Sequence, residues 1–148
     1  MSDVAELVLT FMVNEQRFGV DVLRVQEIRA WTEPTPLPHV PTWVRGVINL
    51  RGHLVAVVDL RERLGFGALV LTPQTAMVVL RALTPKGEAQ VLGVLVDATD
   101  AVSTLAPARS DSLPSGLTRA FALEGDSLIS LLDVDTLFGS LGALPTRC

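Results

Sequence analysis

Residues 46–65 read GVINLRGHLVAVVDLRERLG, and this stretch decides the fold prediction. Two strongly apolar runs, 43–49 and 53–58, flank Arg51 and Gly52, which is typical of two buried strands joined by a tight turn. The second run contains LVAVV, which does not alternate between apolar and polar residues, so both of its faces are expected to be buried. Arg51 therefore carries a full positive charge between two apolar strands, and the sequence raises the question of what this charge does.

A short helix is predicted directly after the second strand. Asp59 and Glu62 have the D-x-x-E spacing of a capping box, in which the first side chain accepts a hydrogen bond from the backbone of the first turn. The helix should begin at Asp59 and end near Gly65, because glycine tolerates the positive φ of a C-cap. Asp59 and Glu62, together with Gly52 in the turn, are thus given structural roles.

The remainder of the chain is predicted to form short strands. Residues 22–29 fit neither the helical nor the strand period, so both interpretations stay open.

The segment TEPTPLPHVP (32–41) contains four prolines, which exclude a central strand and favour a rigid connector over a proline-rich ligand motif. Asp133 is expected to cap a last short helix, VDTLF. The other predicted strands are 7–13, 17–20, 75–81, 91–96, 102–105, 119–123 and 128–132.

The two halves of the chain carry a weak internal repeat. Residues 54–65 (LVAVVDLRERLG) and 128–139 (LISLLDVDTLFG) share a buried strand, a capping Asp and a short helix at an offset of 74 residues. This pattern favours a duplicated unit, and strands of this length and spacing favour small β-barrels. The second copy is preceded by AFALEGDS, which has no arginine in its turn, so the fold itself does not require Arg51.

Composition narrows the class of protein. The chain has 148 residues, of which 49% are hydrophobic and 19% charged, enough for one domain with an apolar core. The net charge of −4 and the lack of a Lys or Arg block argue against nucleic acid or an anionic membrane as partner. The apolar runs are too short to cross a bilayer, and the N-terminus lacks signal-peptide features, so a cytoplasmic protein is expected.

Residues that could support catalysis or bind a metal are few. His39 and His53 are the only histidines, and Cys148 is the only cysteine, so neither a disulfide nor a cysteine-based metal site is possible within one chain. The motifs of metalloproteases, serine hydrolases and nucleotide-binding proteins do not occur. Glu27, in the apolar stretch VQEIR, is either a solvated side chain or the partner of Arg51. The sequence thus predicts a protein that is not an enzyme.

Three segments resemble one known family. Residues 41–65 (PTWVRGVINLRGHLVAVVDLRERLG), 18–29 (FGVDVLRVQEIR) and 92–102 (LGVLVDATDAV) are similar to the CheW family of bacterial chemotaxis adaptors. The resemblance implies an all-β fold in which two intertwined five-stranded SH3-like barrels, with a few short helices, form a single domain over residues 1–148. It also implies no catalytic activity and no cofactor or metal.

The resemblance further implies two protein partners. CheW-like proteins couple the cytoplasmic tip of chemoreceptors to the regulatory domain of the histidine kinase CheA, at membrane receptor arrays. By analogy, the receptor contacts are Val22, Glu27 and Arg51, with Glu27 and Arg51 adjacent on the surface. The kinase contacts fall on Val25, Val44 and Gly46, which we expect to lie in an exposed apolar patch of the first barrel.

Two other functions stay open. The segment SGLTRAFALEGD (115–126) departs from the pattern that many family members have there, which leaves room for a CheW-like receptor-binding protein of a related motility or developmental pathway that does not activate a kinase. The third possibility is a small enzyme that uses carboxylates in the groove between the barrels.

Overall fold

The computed structural model describes residues 5–84, 86–108 and 116–141, and Cys148 lies outside these ranges. Within them the chain is mainly β. The ten strands are β1 (Glu6–Val13), β2 (Gln16–Asp21), β3 (Val25–Ala30), β4 (Val44–Leu50), β5 (His53–Asp59), β6 (Ala76–Leu83), β7 (Ala89–Val96), β8 (Ala98–Leu105), β9 (Thr118–Glu124) and β10 (Ser127–Leu132). A 3-10 turn (Val22–Arg24) and two short helices, α1 (Leu60–Arg63) and α2 (Val134–Gly139), complete the described elements. None of the helices in the described ranges is long and apolar enough to cross a membrane.

The strands form two five-stranded sheets, which confirms the predicted fold class. The first barrel has the strand order β3-β6-β7-β5-β4, and the second barrel has the order β8-β1-β2-β10-β9. β1 to β5 correspond in turn to β6 to β10. When each strand of the first order is exchanged for its counterpart, the second order results. Each barrel therefore takes strands from both halves of the chain, as the intertwined arrangement requires.

The repeat is also visible in single contacts. The amide of Asp59 donates to the carbonyl of Trp43, and the amide of Asp133 donates to the carbonyl of Leu117 in the same way. Isolated bridges join Thr35 to Val47 in the first barrel and Ala108 to Phe121 in the second. The internal repeat seen in sequence thus corresponds to a structural duplication.

The hydrophobic core has three parts. The largest cluster lies between the two sheets, and a smaller cluster lies within each barrel. Residues Val55–Val58 of β5 are at most 1% exposed, so the prediction of two buried faces is correct for these four positions. Leu54 is 57% exposed, since it lies next to the turn at the end of the hairpin.

The ambiguous segment 22–29 contains both of the structures that its sequence allowed. The 3-10 turn comes first, and the side chain of Asp21 accepts a hydrogen bond of 2.9 Å from the amide of Leu23. β3 follows directly. The turn is the point at which the chain crosses from β2 in the second barrel to β3 in the first.

Candidate functional site

An ion pair joins the two edge strands of the first barrel. Nη1 of Arg51 lies 2.5 Å from Oε2 of Glu27. Glu27 is in β3 and Arg51 follows β4, and these are the outer strands of the five-stranded sheet. The Arg51 side chain is 66% exposed and the Glu27 side chain 21% exposed, so the arginine is the more accessible member of the pair.

A second arginine makes this site net positive. Nη1 of Arg29 lies 3.5 Å from Oε1 of Glu27, so one carboxylate faces two guanidinium groups. The hydrogen bond from Arg51 lowers the pKa of Glu27 and outweighs the opposing effect of its partial desolvation. Glu27 is therefore ionised at neutral pH, and the three side chains carry one net positive charge. Such a site is suited to a partner that supplies a carboxylate or other acceptor groups.

The backbone at Arg51 adopts a conformation that favours glycine. Leu50 pairs with His53, so the hairpin turn consists of Arg51 and Gly52, with φ of 52° and 87°. The amide of Gly52 also donates to Oδ1 of Asn49 at 2.7 Å. In the corresponding turn of the second barrel, the position of Arg51 is occupied by Gly125, with φ of 61°. An arginine in this left-handed region is strained, and such strain is often found at functional sites.

Val22 and Val25 lie near the junction of the barrels. Both are partly buried and pack against the core cluster between the sheets. Val22 is in the crossing turn, and Val25 begins β3, two residues before Glu27. The structure thus brings Glu27 and Arg51 into contact and places Val22 earlier on the same segment.

The expectation that Val44 and Gly46 lie in an exposed apolar patch is wrong. Val44 is 6% exposed, and Gly46 is buried. The amides of Thr35 and Val47 donate to each other's carbonyls at 2.8 and 2.9 Å, which fixes the proline-containing segment over β4. A Cβ on Gly46 would lie 2.1 Å from the carbonyl oxygen of Thr35. The backbone that approaches Gly46 closely is therefore the chain's own, and the kinase contact assigned to these residues stays a prediction.

Asp59 stabilises more of the structure than its capping motif predicts. Its carboxylate is buried and accepts a hydrogen bond of 3.2 Å from the amide of Glu62 at the start of α1. Its second oxygen accepts a hydrogen bond of 2.8 Å from the amide of Leu69, ten positions further on. Nε of Arg45 lies 3.7 Å from the same oxygen. The motif indicated the first contact, and no local signal indicated the other two.

Two carboxylates do converge in the second barrel. Asp100 and Glu124 lie 3.1 and 2.8 Å from Nη2 of Arg17. Hydrogen bonds from Ser103 and then Arg17 lower the pKa of Glu124, whereas a general acid needs a raised pKa. No group of three or more His, Cys, Asp or Glu side chains suited to a metal occurs within residues 5–84, 86–108 and 116–141.

Another ion pair borders a cavity between the barrels. The two Nη atoms of Arg24 donate to the two carboxylate oxygens of Asp135 in α2, each at 2.9 Å. The cavity of about 1100 Å³ lies between the crossing turn, the ends of β6 and β7, and α2. Leu23 and Leu83, which are 74% and 68% exposed, belong to its lining. Sequence reasoning did not find this pair, since its members are 111 positions apart.

Comparisons with known proteins agree on one family. The family model of the CheW-like domain matches residues 7–142. The chain is 36% identical over 140 residues to "Chemotaxis protein CheW" of Rhizobium meliloti, covering 89% of the chain and 86% of the relative. It is 32% identical over 137 residues to "Probable chemotaxis protein CheW" of Rhizobium etli, covering 88% and 85%. The crystal structure of scaffolding protein TtCheW from Thermoanaerobacter tengcongensis has the same fold, with a TM-score of 0.78 at 24% identity over 87% of the chain and 89% of that structure.

Proposed function

The chain belongs to the CheW-like domain family, and we propose that it is a non-catalytic adaptor that couples chemoreceptors to a CheA-type histidine kinase in chemotaxis-type signalling. The whole chain would act as one domain of two interleaved barrels. Its place would be the cytoplasm, at membrane receptor arrays, because both partners meet there. Neither a cofactor nor a metal enters this function.

The observation that carries the proposal is the presentation of Arg51. Its side chain is 66% exposed and pairs with Glu27, whose side chain is 21% exposed. Its backbone has a strained positive φ, where the equivalent turn has Gly125. Neither the turn nor the second-barrel hairpin needs an arginine, so the side chain is best explained by a partner. We assign Val22, Glu27 and Arg51 to receptor binding, with Arg51 directed at acceptor groups on the receptor.

The kinase regulatory domain is proposed to contact the first barrel near Val25. Val25 is only partly buried, so part of its side chain is accessible to a partner. Val44 and Gly46 are buried, so their part in this contact would be indirect. They would hold β4 and the segment around Thr35 in the arrangement that the kinase meets.

The alternatives make different predictions for the same mixture. A receptor-binding protein that does not activate a kinase would bind the receptor fragment and leave kinase activity unchanged. An enzyme acting through carboxylates of the inter-barrel groove would show turnover without either partner. The converging carboxylates Asp100 and Glu124 do not favour this second possibility, because Arg17 neutralises part of their charge and the pKa of Glu124 is lowered.

The test is assembly of a ternary complex, measured by sedimentation with the cognate kinase and a receptor signalling fragment. Arg51→Gly is the informative variant, because it reproduces the residue of the equivalent turn and removes only the arginine side chain. It should keep its fold and lose receptor affinity by about tenfold or more, as arginines central to interfaces often do. Kinase affinity should change less, since that contact does not involve the guanidinium.

Arg119→Gln is the matched control. Arg119 is also a partly exposed arginine in an ion pair, 3.2 Å from Glu6, but it belongs to the second barrel. Its replacement should leave both affinities unchanged. The proposed function is wrong if the wild-type chain forms no complex with either partner, and the role of Arg51 is wrong if Arg51→Gly binds the receptor fragment as tightly as the wild type.

A further inference from the structure

The chain crosses between the barrels at two places, and each crossing is ion-paired to a short helix. At the first crossing, Arg24 pairs with Asp135 of α2. At the second crossing, between β7 and β8, Nη1 of Arg61 in α1 lies 3.1 Å from Oδ2 of Asp97. Arg61 and Asp135 are separated by the 74-residue offset of the repeat. The helix residue of each pair thus occupies the equivalent position of the repeat and carries the opposite charge.

The first crossing is held from two sides. Both Nη atoms of Arg24 bind Asp135, which fixes the guanidinium in one plane. On the other side, Nε of Arg81 in β6 donates to the carbonyl of Leu23 at 3.2 Å. The crossing turn is therefore attached both to α2, which follows the last strand of the second barrel, and to β6 of the first barrel.

Only the first crossing borders the cavity. Arg24, Asp135 and Phe138 are part of the cavity lining, whereas Arg61 and Asp97 are not. The first pair thus joins two walls of the cavity, whereas the second pair is not part of its lining. A contact that joins two walls of a cavity sets the distance between them.

We infer that the Arg24–Asp135 ion pair is a positioning contact for receptor binding. It fixes the crossing turn against α2, and with it Val22 and the start of β3, which leads to Glu27. This inference rests on the proposed function. Because the side chains of Arg24 and Asp135 are 32% and 66% exposed, the pair adds little to stability. Its effect is to hold the turn of the unbound protein in the conformation that binds the receptor, so that less conformational entropy is lost on binding.

The test compares neutral and charge-exchanged variants in titrations with the receptor signalling fragment. Arg24→Gln and Asp135→Asn should each weaken binding by about three- to fivefold, because removal of an exposed pair costs no more than the small free energy that the pair supplies. Their denaturant midpoints should stay close to that of the wild type. The double variant Arg24→Asp with Asp135→Arg should recover affinity to within about twofold, because the pair is restored with its charges reversed.

Arg61→Gln is the matched control, because it removes the corresponding pair at the crossing that does not border the cavity. It should bind the fragment like the wild type. The inference is overturned if Arg24→Gln retains wild-type affinity, if the double variant binds no better than the single variants, or if Arg61→Gln loses as much affinity as Arg24→Gln.

A second measurement does not depend on the receptor. Spin labels at Gln26→Cys and Thr136→Cys, with Cys148→Ser, report the distance between β3 and α2. The distance distribution should be narrow in the parent chain, broaden in Arg24→Gln, and narrow again in the charge-exchanged double variant. An unchanged distribution in Arg24→Gln would overturn the positioning role. If instead the distances respond and the wild-type chain does not bind the fragment, the receptor assignment itself is wrong.

Discussion

Replacement of Gly46 tests whether this residue serves the fold or a partner. A Cβ at this position would lie 2.1 Å from the carbonyl oxygen of Thr35 and 2.6 Å from its carbon. Both are backbone atoms, so no flexible side chain can move aside. The φ of Gly46 is also 138°, a conformation that L residues rarely adopt. Gly46→Ala therefore requires the segment around Thr35 to leave β4.

The magnitude follows from two contributions. Backbone strain at a glycine-only conformation costs roughly 1–3 kcal/mol. Displacement of Thr35 also breaks its two backbone hydrogen bonds with Val47, which contribute about 0.5–1.5 kcal/mol each. The expected loss in free energy of unfolding is thus about 2–6 kcal/mol, a large share of the ~5–15 kcal/mol that holds a typical domain together.

The assay is urea unfolding of Gly46→Ala, with Gly52→Ala as the matched control. Gly52 has φ of 87°, and apart from its chain neighbours no described residue has an atom within 4 Å of the position that a Cβ would take, so its replacement costs the strain alone. Equal losses in the two variants would refute the reasoning. If Gly46→Ala or Gly46→Asp loses kinase binding, we expect the loss to be caused by unfolding, which the stability measured in parallel would show. A Gly46→Asp variant that is fully stable but fails to bind the kinase would instead mean that Gly46 lies in the kinase interface.

Two further predictions concern the buried cap and the exposed ion pair. Asp59→Ala should lower the free energy of unfolding by about 2–4 kcal/mol, since it removes the cap of α1 and the buried hydrogen bond from Leu69. Asp133→Ala removes a cap alone and should lower the free energy of unfolding by about 1 kcal/mol. Equal losses of stability in Asp59→Ala and Asp133→Ala, measured by thermal unfolding, would contradict this prediction. Because Arg51 lowers the pKa of Glu27 below its ordinary 4.5, the folded state gains stability from this carboxylate above that pH and loses it as the pH falls through the lowered pKa. The stability difference between wild type and Glu27→Gln should therefore shrink on acidification below about pH 4.5, and a difference that stays constant down to about pH 3 would show that the pair does not form.

Features specified by neighbouring residues could be predicted from the sequence. The β4–β5 hairpin, the caps at Asp59 and Asp133, and the repeat follow from turn chemistry and apolar pattern, which act over a few positions. The Glu27–Arg51 contact was a hypothesis from charge in apolar surroundings, made specific by the resemblance.

Features that depend on distant parts of the chain were missed or wrong. The burial of Gly46 arises because the proline-containing segment folds back and pairs Thr35 with Val47. The Arg24–Asp135 pair depends on the packing of α2 near the first crossing, which no local pattern specifies. Burial and long-range charge pairing are properties of the assembled barrels, so the sequence of one segment does not determine them.

The exchange of strands between the barrels has a consequence for synthesis of the chain. The first barrel has all its strands once Val96 has left the ribosome, because β3 to β7 are contiguous. β1 and β2 emerge earlier, yet their neighbours β8 and β10 emerge last. The N-terminal hairpin must therefore wait with both of its edges unpaired while the first barrel folds, a condition in which exposed strands are prone to associate with other chains. Folding of the second barrel pairs strands that are far apart in the sequence and so closes the longest loops in the molecule. This step should therefore limit the overall rate of folding.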